Sequence, residues 1–106
     1  MAHVRQVALL AALPKSLQDR SVDLSEVGSA EYGFPVDCAD EVFNSIIQNG
    51  FAVLGGDLWR KAGVKFEPVF DGWYTNSPSE DAVSVWRKFL DRMPSGSEYF
   101  TTFVVR

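Results

Sequence analysis

The fold is decided by residues 37–59, which read DCADEVFNSIIQNGFAVLGGDLW. The first half predicts a helix over residues 37–48, because apolar side chains recur at the spacing of one helix face: Ala39, Val42, Phe43, Ile46 and Ile47. Asn49-Gly50 is a typical helix stop. The apolar run that follows at residues 51–54 is typical of a buried strand. A helix that leads directly into a strand indicates a fold that mixes both elements.

Strand patterns and one more helix follow toward the C-terminus. Gly55-Gly56 is expected to break or bulge the first strand, and Asp71-Gly72 predicts a tight turn between two strands. A capping box at residues 77–80 opens a second helix, and residues 99–105 have strand composition. We therefore expect an α+β fold: a small, mainly antiparallel sheet of three to five strands, with two main helices packed on one face.

The N-terminal segment carries a third helical pattern, which we expect to be short. Apolar side chains at Val4, Val7, Ala8 and Ala11 have helical spacing, and Pro14 ends the pattern. No clear cleavage site follows, so a helix is favoured over a signal peptide. A length of 106 residues fits one domain over residues 1–106.

Composition argues against several classes of protein. Ten Lys and Arg against fourteen Asp and Glu give a net charge of −4, which argues against a nucleic-acid binder. No apolar stretch approaches the length of a membrane span. Cys38 is the single cysteine, so an intrachain disulfide and a Cys-rich zinc site are both excluded. A free thiol suits the cytoplasm. The sequence offers no cofactor or metal motif, and it leaves the oligomeric state open.

The acidic charge is concentrated in one part of the chain. Residues 21–59 contain no Lys or Arg, and their acids are Asp23, Glu26, Glu31, Asp37, Asp40, Glu41 and Asp57. Asp37 is the expected N-cap of the helix, and Asp40 and Glu41 lie in its first turn. These three acids are either a solvated helix face or a patch that attracts a basic partner protein and speeds association.

Residues able to support catalysis are few. His3 is the only histidine, and its place near the terminus makes a nucleophile–histidine pair improbable. Asp57 and Asp71 remain as a conceivable pair of carboxylates. Trp59, Trp73 and Tyr74 are the most informative aromatic residues, because such side chains either fill the cores of small domains or anchor interfaces.

Three segments together resemble the immunity protein 40 family of bacterial polymorphic toxin systems: FAVLGGDLW at residues 51–59, FDGWYT at residues 70–75, and the late strand at residues 98–100. In that family, Leu-Gly-Gly-Asp precedes an Asp-x-Trp-Tyr element, which a helix and a terminal strand follow. The residues of this chain that match the family motif are Gly55, Gly56, Asp57, Asp71, Trp73 and Tyr74.

The resemblance implies a binding protein and not an enzyme. Such a protein would neutralise a cognate toxin domain by direct occlusion, in the cytoplasm of the toxin-producing cell. The candidate toxin-binding residues are Asp37, Asp40, Glu41, Trp59, Trp73 and Tyr74. Two alternatives stay open. One is a small-molecule or peptide-binding module with an aromatic slot around Trp73 and Tyr74; the other is a small enzyme with Asp57 and Asp71 as paired carboxylates.

Overall fold

The structure, a computed structural model, describes residues 4–75 and 82–106. The expected capping box at residues 77–80 and His3 lie outside these ranges. Four α-helices and six strands occur in the described residues, in this order: α1 Val4–Ala12, α2 Lys15–Gln18, β1 Val22–Asp23, β2 Tyr32–Pro35, α3 Ala39–Gln48, β3 Val53–Ala62, β4 Lys65–Tyr74, α4 Ala82–Arg92, β5 Tyr99–Thr102 and β6 Val104–Val105. Short 3-10 turns precede β2 and α3, at Ser25–Val27 and Val36–Cys38.

All six strands join one antiparallel sheet in the order β1-β2-β5-β3-β4, and β6 pairs with β3 beyond the end of β5. The α+β class fits, but the expected three to five strands and two main helices are wrong. Strands β1 and β2 are too short to show a period-2 pattern. The C-terminal apolar run divides at Phe103 into two strands, which pair with different parts of β3.

The core lies between the helices and one face of the sheet. Strand residues alternate between faces, so Phe34, Leu58 and Trp73 point toward the helices, where they join Phe43 and Trp86 in one cluster. The Trp86 ring is fully buried and stacks on Phe43 with 5.2 Å between ring centroids. A smaller cluster of Leu24, Trp59 and Phe100 lies on the opposite face.

Helix α1 turns a different side to the core than its apolar spacing predicts. Val4, Val7, Ala8 and Ala11 are exposed, whereas Gln6 and Leu9 are buried. The reason is a hydrogen-bond requirement. Gln6 Nε2 donates to the Phe103 carbonyl at 2.7 Å, and Gln6 Oε1 accepts from the Tyr32 N–H at 3.0 Å. The side-chain amide thus satisfies two backbone groups where the pairing of β2 with β5 ends.

The expected turn at Asp71-Gly72 is also wrong. The hairpin turn falls at Gly63, and Asp71-Gly72 lies inside β4. β3 continues through its two glycines without a break, while its pairing with β6 shifts between Val53 and Gly55, as the expected bulge there requires. The pairing of β3 with β4 shifts next to the Asp-Gly pair. Asp57 pairs with Gly72 and Trp59 pairs with Pro68, so one residue of β3 faces three residues of β4. The Asp-Gly pair therefore belongs to a β-bulge, the other structure in which strands use glycine.

Candidate functional site

The six residues of the sequence motif come together around one surface groove. Its volume is about 580 Å³, and its lining residues are Leu54, Gly55, Gly56, Asp57, Phe70, Asp71, Gly72, Trp73, Tyr74, Thr75 and Val104. A groove of this size is within the range of ligand sites in proteins. The motif therefore marks a place on the surface, formed where β3 and β4 pair next to the bulge.

Glycines line the groove on the face of the sheet away from the helices, and Gly72 leaves part of its backbone exposed there. Gly55 pairs with Tyr74, and Gly72 pairs with Asp57. Trp73 points into the core, so its neighbours Gly72 and Tyr74 belong to the other face. Two of the four positions in these pairs thus have no side chain. The open floor follows from that.

Close backbone contacts explain the Gly-Gly pair of the motif. A Cβ on Gly55 would lie 2.3 Å from the Trp73 carbonyl oxygen, and a Cβ on Gly56 would lie 2.0 Å from that of Thr102. Both distances are far inside van der Waals contact, and the obstructing atoms belong to the backbone of neighbouring strands. These two glycines are therefore required by the packing of the sheet itself.

Phe70 is the groove residue that sequence reasoning did not single out. It has a φ of 61°, which makes it the one non-glycine residue with a positive φ in the described part of the chain. Its side chain is 93% exposed. A large apolar residue in the left-handed region is strained, and residues of this kind concentrate at functional sites. The available sequence signal was a glycine inside a strand pattern, which marks a bulge but not the residue that the bulge projects.

Trp73 and Tyr74 lie on opposite faces of β4 and cannot form one slot together. Trp73 is 5% exposed and contacts the rings of Phe43, Trp86 and Phe89. Tyr74 is 73% exposed beside the groove. The aromatic walls of the groove are therefore Tyr74 and Phe70. Trp59 is largely buried in the smaller cluster, so both tryptophan rings pack mainly within the fold.

Asp71 is held by Arg92 of α4. Arg92 Nη1 donates to both carboxylate oxygens, at 2.9 and 2.8 Å, and Nη2 donates to the Gly72 carbonyl at 3.1 Å. This pairing, supported by the Gly72 N–H, holds the pKa of Asp71 below its ordinary value. A general acid needs a raised pKa, so the shift opposes a general-acid role for Asp71 in a carboxylate pair with Asp57.

The Asp71–Arg92 pair gives stability a specific pH dependence. Because the folded-state pKa is lowered, the pair stabilises the fold above the unfolded-state pKa, and this contribution is lost as the pH falls through the folded-state pKa. The difference in unfolding free energy between the native chain and Asp71→Asn should therefore be nearly constant above about pH 5 and shrink as the pH falls from about 5 toward 2. Urea denaturation across that range measures it. In an Arg92→Gln background, this difference in unfolding free energy should change less with pH. A difference that grows toward low pH would contradict the assignment of this pH dependence to the Asp71–Arg92 pair.

The three acids near the start of α3 are not equally available to a partner. Asp37 lies in the 3-10 turn before the helix, where it pairs with Arg20 at 2.7 Å, and it does not cap α3. Asp40 accepts a hydrogen bond from the buried indole of Trp86 at 2.9 Å and lies 3.8 Å from Arg87. Glu41 is exposed. Asp40 thus has a role within the fold, and Glu41 is the more accessible charge.

The remaining findings concern the cysteine thiol, metal ligands and membrane-spanning helices. The Cys38 thiol is buried, which raises its pKa, and it donates to the Pro35 carbonyl. Within residues 4–75 and 82–106, no group of three or more His, Cys, Asp or Glu side chains is arranged to hold a metal ion. None of the helices in those ranges is long and apolar enough to cross a membrane.

Comparison with known proteins identifies the family. No curated relative and no solved structure matches the chain. A family model described as Immunity protein 40 matches residues 23–105, a range that contains the β3–β4 hairpin and every residue that lines the groove. The match covers most of the chain and confirms the resemblance carried by the Gly-Gly-Asp and Asp-Gly-Trp-Tyr segments. The chain belongs to the Immunity protein 40 family.

Proposed function

We propose that the chain neutralises a cognate toxin domain by binding it directly, and that the groove between β3 and β4 is part of the surface that the toxin covers. Family membership supports an immunity function. The finer points, namely direct occlusion, the cytoplasm as the place of action and the surface involved, are our proposal. Phe70 is the observation that carries it.

Phe70 contributes little to the stability of the fold and holds a strained backbone conformation. Its ring is almost fully exposed, so it contributes little apolar burial, while a positive φ at a residue with a Cβ costs roughly 1–2 kcal/mol. A partner that buries the ring recovers the hydrophobic contribution that folding leaves unused. Tyr74 stands exposed at the same groove. Aromatic residues of this kind frequently anchor protein interfaces.

The support beneath the groove favours tight binding. β3 is paired on both sides, and Trp73 fixes β4 to the helices from the opposite face of the sheet. A surface held in this way loses little conformational entropy when a partner binds. Occlusion by a rigid surface requires no catalytic residue in the immunity protein.

The direct test uses the cognate toxin domain. Phe70→Gly removes the ring and suits a positive φ, so the free energy of unfolding should stay within about 1 kcal/mol of the native value. The dissociation constant for the toxin should rise by roughly 30-fold or more, as expected for an interface anchor. Calorimetry of binding and urea denaturation measure the two quantities.

Val64→Ala is the matched control, because Val64 is 92% exposed at the far end of the same hairpin and is not part of the groove. It should leave the affinity unchanged. If the native chain does not bind the toxin, direct neutralisation is wrong. If the toxin binds Phe70→Gly as tightly as the native chain, the toxin covers another surface.

Electrostatic steering is the proposed role of the exposed acid on α3. The net charge of −4 would speed association with a basic toxin surface, and added salt would weaken that effect. We expect Glu41→Lys to slow association roughly tenfold at low salt, with little change in folding because Glu41 is exposed. Stopped-flow association at two ionic strengths measures it. An unchanged rate would remove this part of α3 from the encounter surface.

A further inference from the structure

The groove carries one negative charge that the described structure leaves without a counterion. Its lining contains two acids, Asp57 and Asp71, and no base. Arg92 of α4 pairs with Asp71. Among the described residues, no lysine or arginine forms an ion pair with Asp57. Asp57 is therefore the charged group that the groove offers to a ligand.

The sheet holds the backbone of Asp57 in place. The Asp57 N–H donates to Thr102 Oγ1 at 3.0 Å, which ties the residue to the neighbouring strand. A Cβ on Gly72 would lie 2.9 Å from Asp57 Oδ1, so the carboxylate lies over the bare backbone of Gly72. Phe70 and Tyr74 both line the same groove. A negative charge thus lies on an open floor with two exposed aromatic rings beside it.

From this arrangement we infer that the groove accepts an arginine side chain of the toxin, paired with Asp57 and packed against Phe70 or Tyr74. A guanidinium is planar, pairs with a carboxylate through two parallel hydrogen bonds, and stacks on aromatic faces. Lysine also carries a positive charge, but its ammonium group cannot form two parallel hydrogen bonds with a carboxylate and has no flat face to stack on a ring. The inference rests on the proposed function, because it assigns one contact within that interface.

A small probe tests the groove without the toxin. N-acetyl-arginine amide should shift the backbone amide NMR signals of Asp57, Gly72 and Tyr74 at concentrations up to about 50 mM, where a single side-chain contact is detectable. The lysine analogue should produce smaller shifts, and the uncharged isostere N-acetyl-citrulline amide should produce none. Asp57→Asn should abolish the response, whereas Glu41→Gln, an exposed acid outside the groove, should retain it. Equal responses to arginine and citrulline, or no response at these residues, would overturn the inference.

The toxin then separates this inference from the proposed function. Asp57→Asn should weaken toxin binding roughly tenfold or more. Tyr74→Leu is a second variant: it removes the aromatic ring, keeps the bulk of the side chain and leaves the charge of the groove unchanged. Thermal melting of both variants establishes that they fold. Full affinity in Asp57→Asn overturns the arginine contact while leaving direct neutralisation intact. Failure of the native chain to bind the toxin overturns both.

Discussion

Replacing Trp73 with alanine is expected to lower the free energy of unfolding by about 3–5 kcal/mol, the range for truncation of a large buried aromatic residue. Trp73 is 5% exposed and contacts three aromatic rings, on α3 and α4. The indole links β4 to α3 and α4, so its loss removes packing contacts of both the sheet and the helices. Urea denaturation gives the value.

Tyr74→Ala is the matched control, because Tyr74 is the next residue along β4 and lies on the opposite face. It is mostly exposed, so its truncation should change stability by less than about 1 kcal/mol. If Trp73→Ala instead costs less than about 1 kcal/mol and abolishes toxin binding, Trp73 is an interface anchor and the packing account is wrong.

Replacing Gly56 with alanine is expected to be comparably damaging, although it adds only one methyl group. The new Cβ would lie 2.0 Å from the Thr102 carbonyl oxygen and 3.2 Å from Trp73 Nε1. Neither the central strands nor the tryptophan beneath them can move without losing other contacts. We expect a loss of about 3 kcal/mol or more, at the upper end for overpacked cores, measured as a lower midpoint of urea denaturation.

Gly33→Ala provides the comparison for a strand glycine with more tolerant surroundings. A Cβ there would meet the ends of the Leu24 and Val22 side chains, both at 3.1 Å. Side chains can shift where backbone cannot, so the expected cost is clearly smaller than for Gly56. If both substitutions have the same effect, then the change in strand propensity from glycine to alanine, and not the contact with Thr102, controls stability.

The sequence allowed the large elements to be predicted because their patterns are long. The helical spacing from Ala39 to Ile47 recovered α3, and the apolar run after Asn49-Gly50 recovered the start of β3. The short strands β1 and β2 could not be predicted, since two to four residues give no measurable period, and the predicted C-terminal strand did not show its division into β5 and β6. The number of strands therefore came out too low.

Two errors have a common physical cause, which is that a local pattern cannot show its tertiary partners. The apolar spacing of α1 predicted the wrong buried side, because the buried position of Gln6 depends on two backbone groups from distant strands. Asp71-Gly72 suits a turn or a bulge equally well. Which of them forms is decided by the register between β3 and β4.

The candidate site was recovered in part. The motif residues Gly55, Gly56, Asp57, Asp71, Trp73 and Tyr74 all line the groove. The sequence did not distinguish the residues that build the groove from those that face a partner, because that distinction depends on which face of a strand each residue occupies. Phe70 begins the FDGWYT segment, but the sequence gave no sign that its side chain is exposed, because that exposure results from the bulge.

We propose that the toxin covers the open face of the β3–β4 hairpin at the bulge. Cross-saturation NMR tests this directly, because magnetisation passes from a protonated toxin only to the nearest amides of a deuterated immunity protein. We expect signal loss at the amides of Phe70, Gly72 and Tyr74, with Val64 at the hairpin tip unaffected. Signal loss confined to α3 or to the exposed side of α1, with these three amides unchanged, would contradict it.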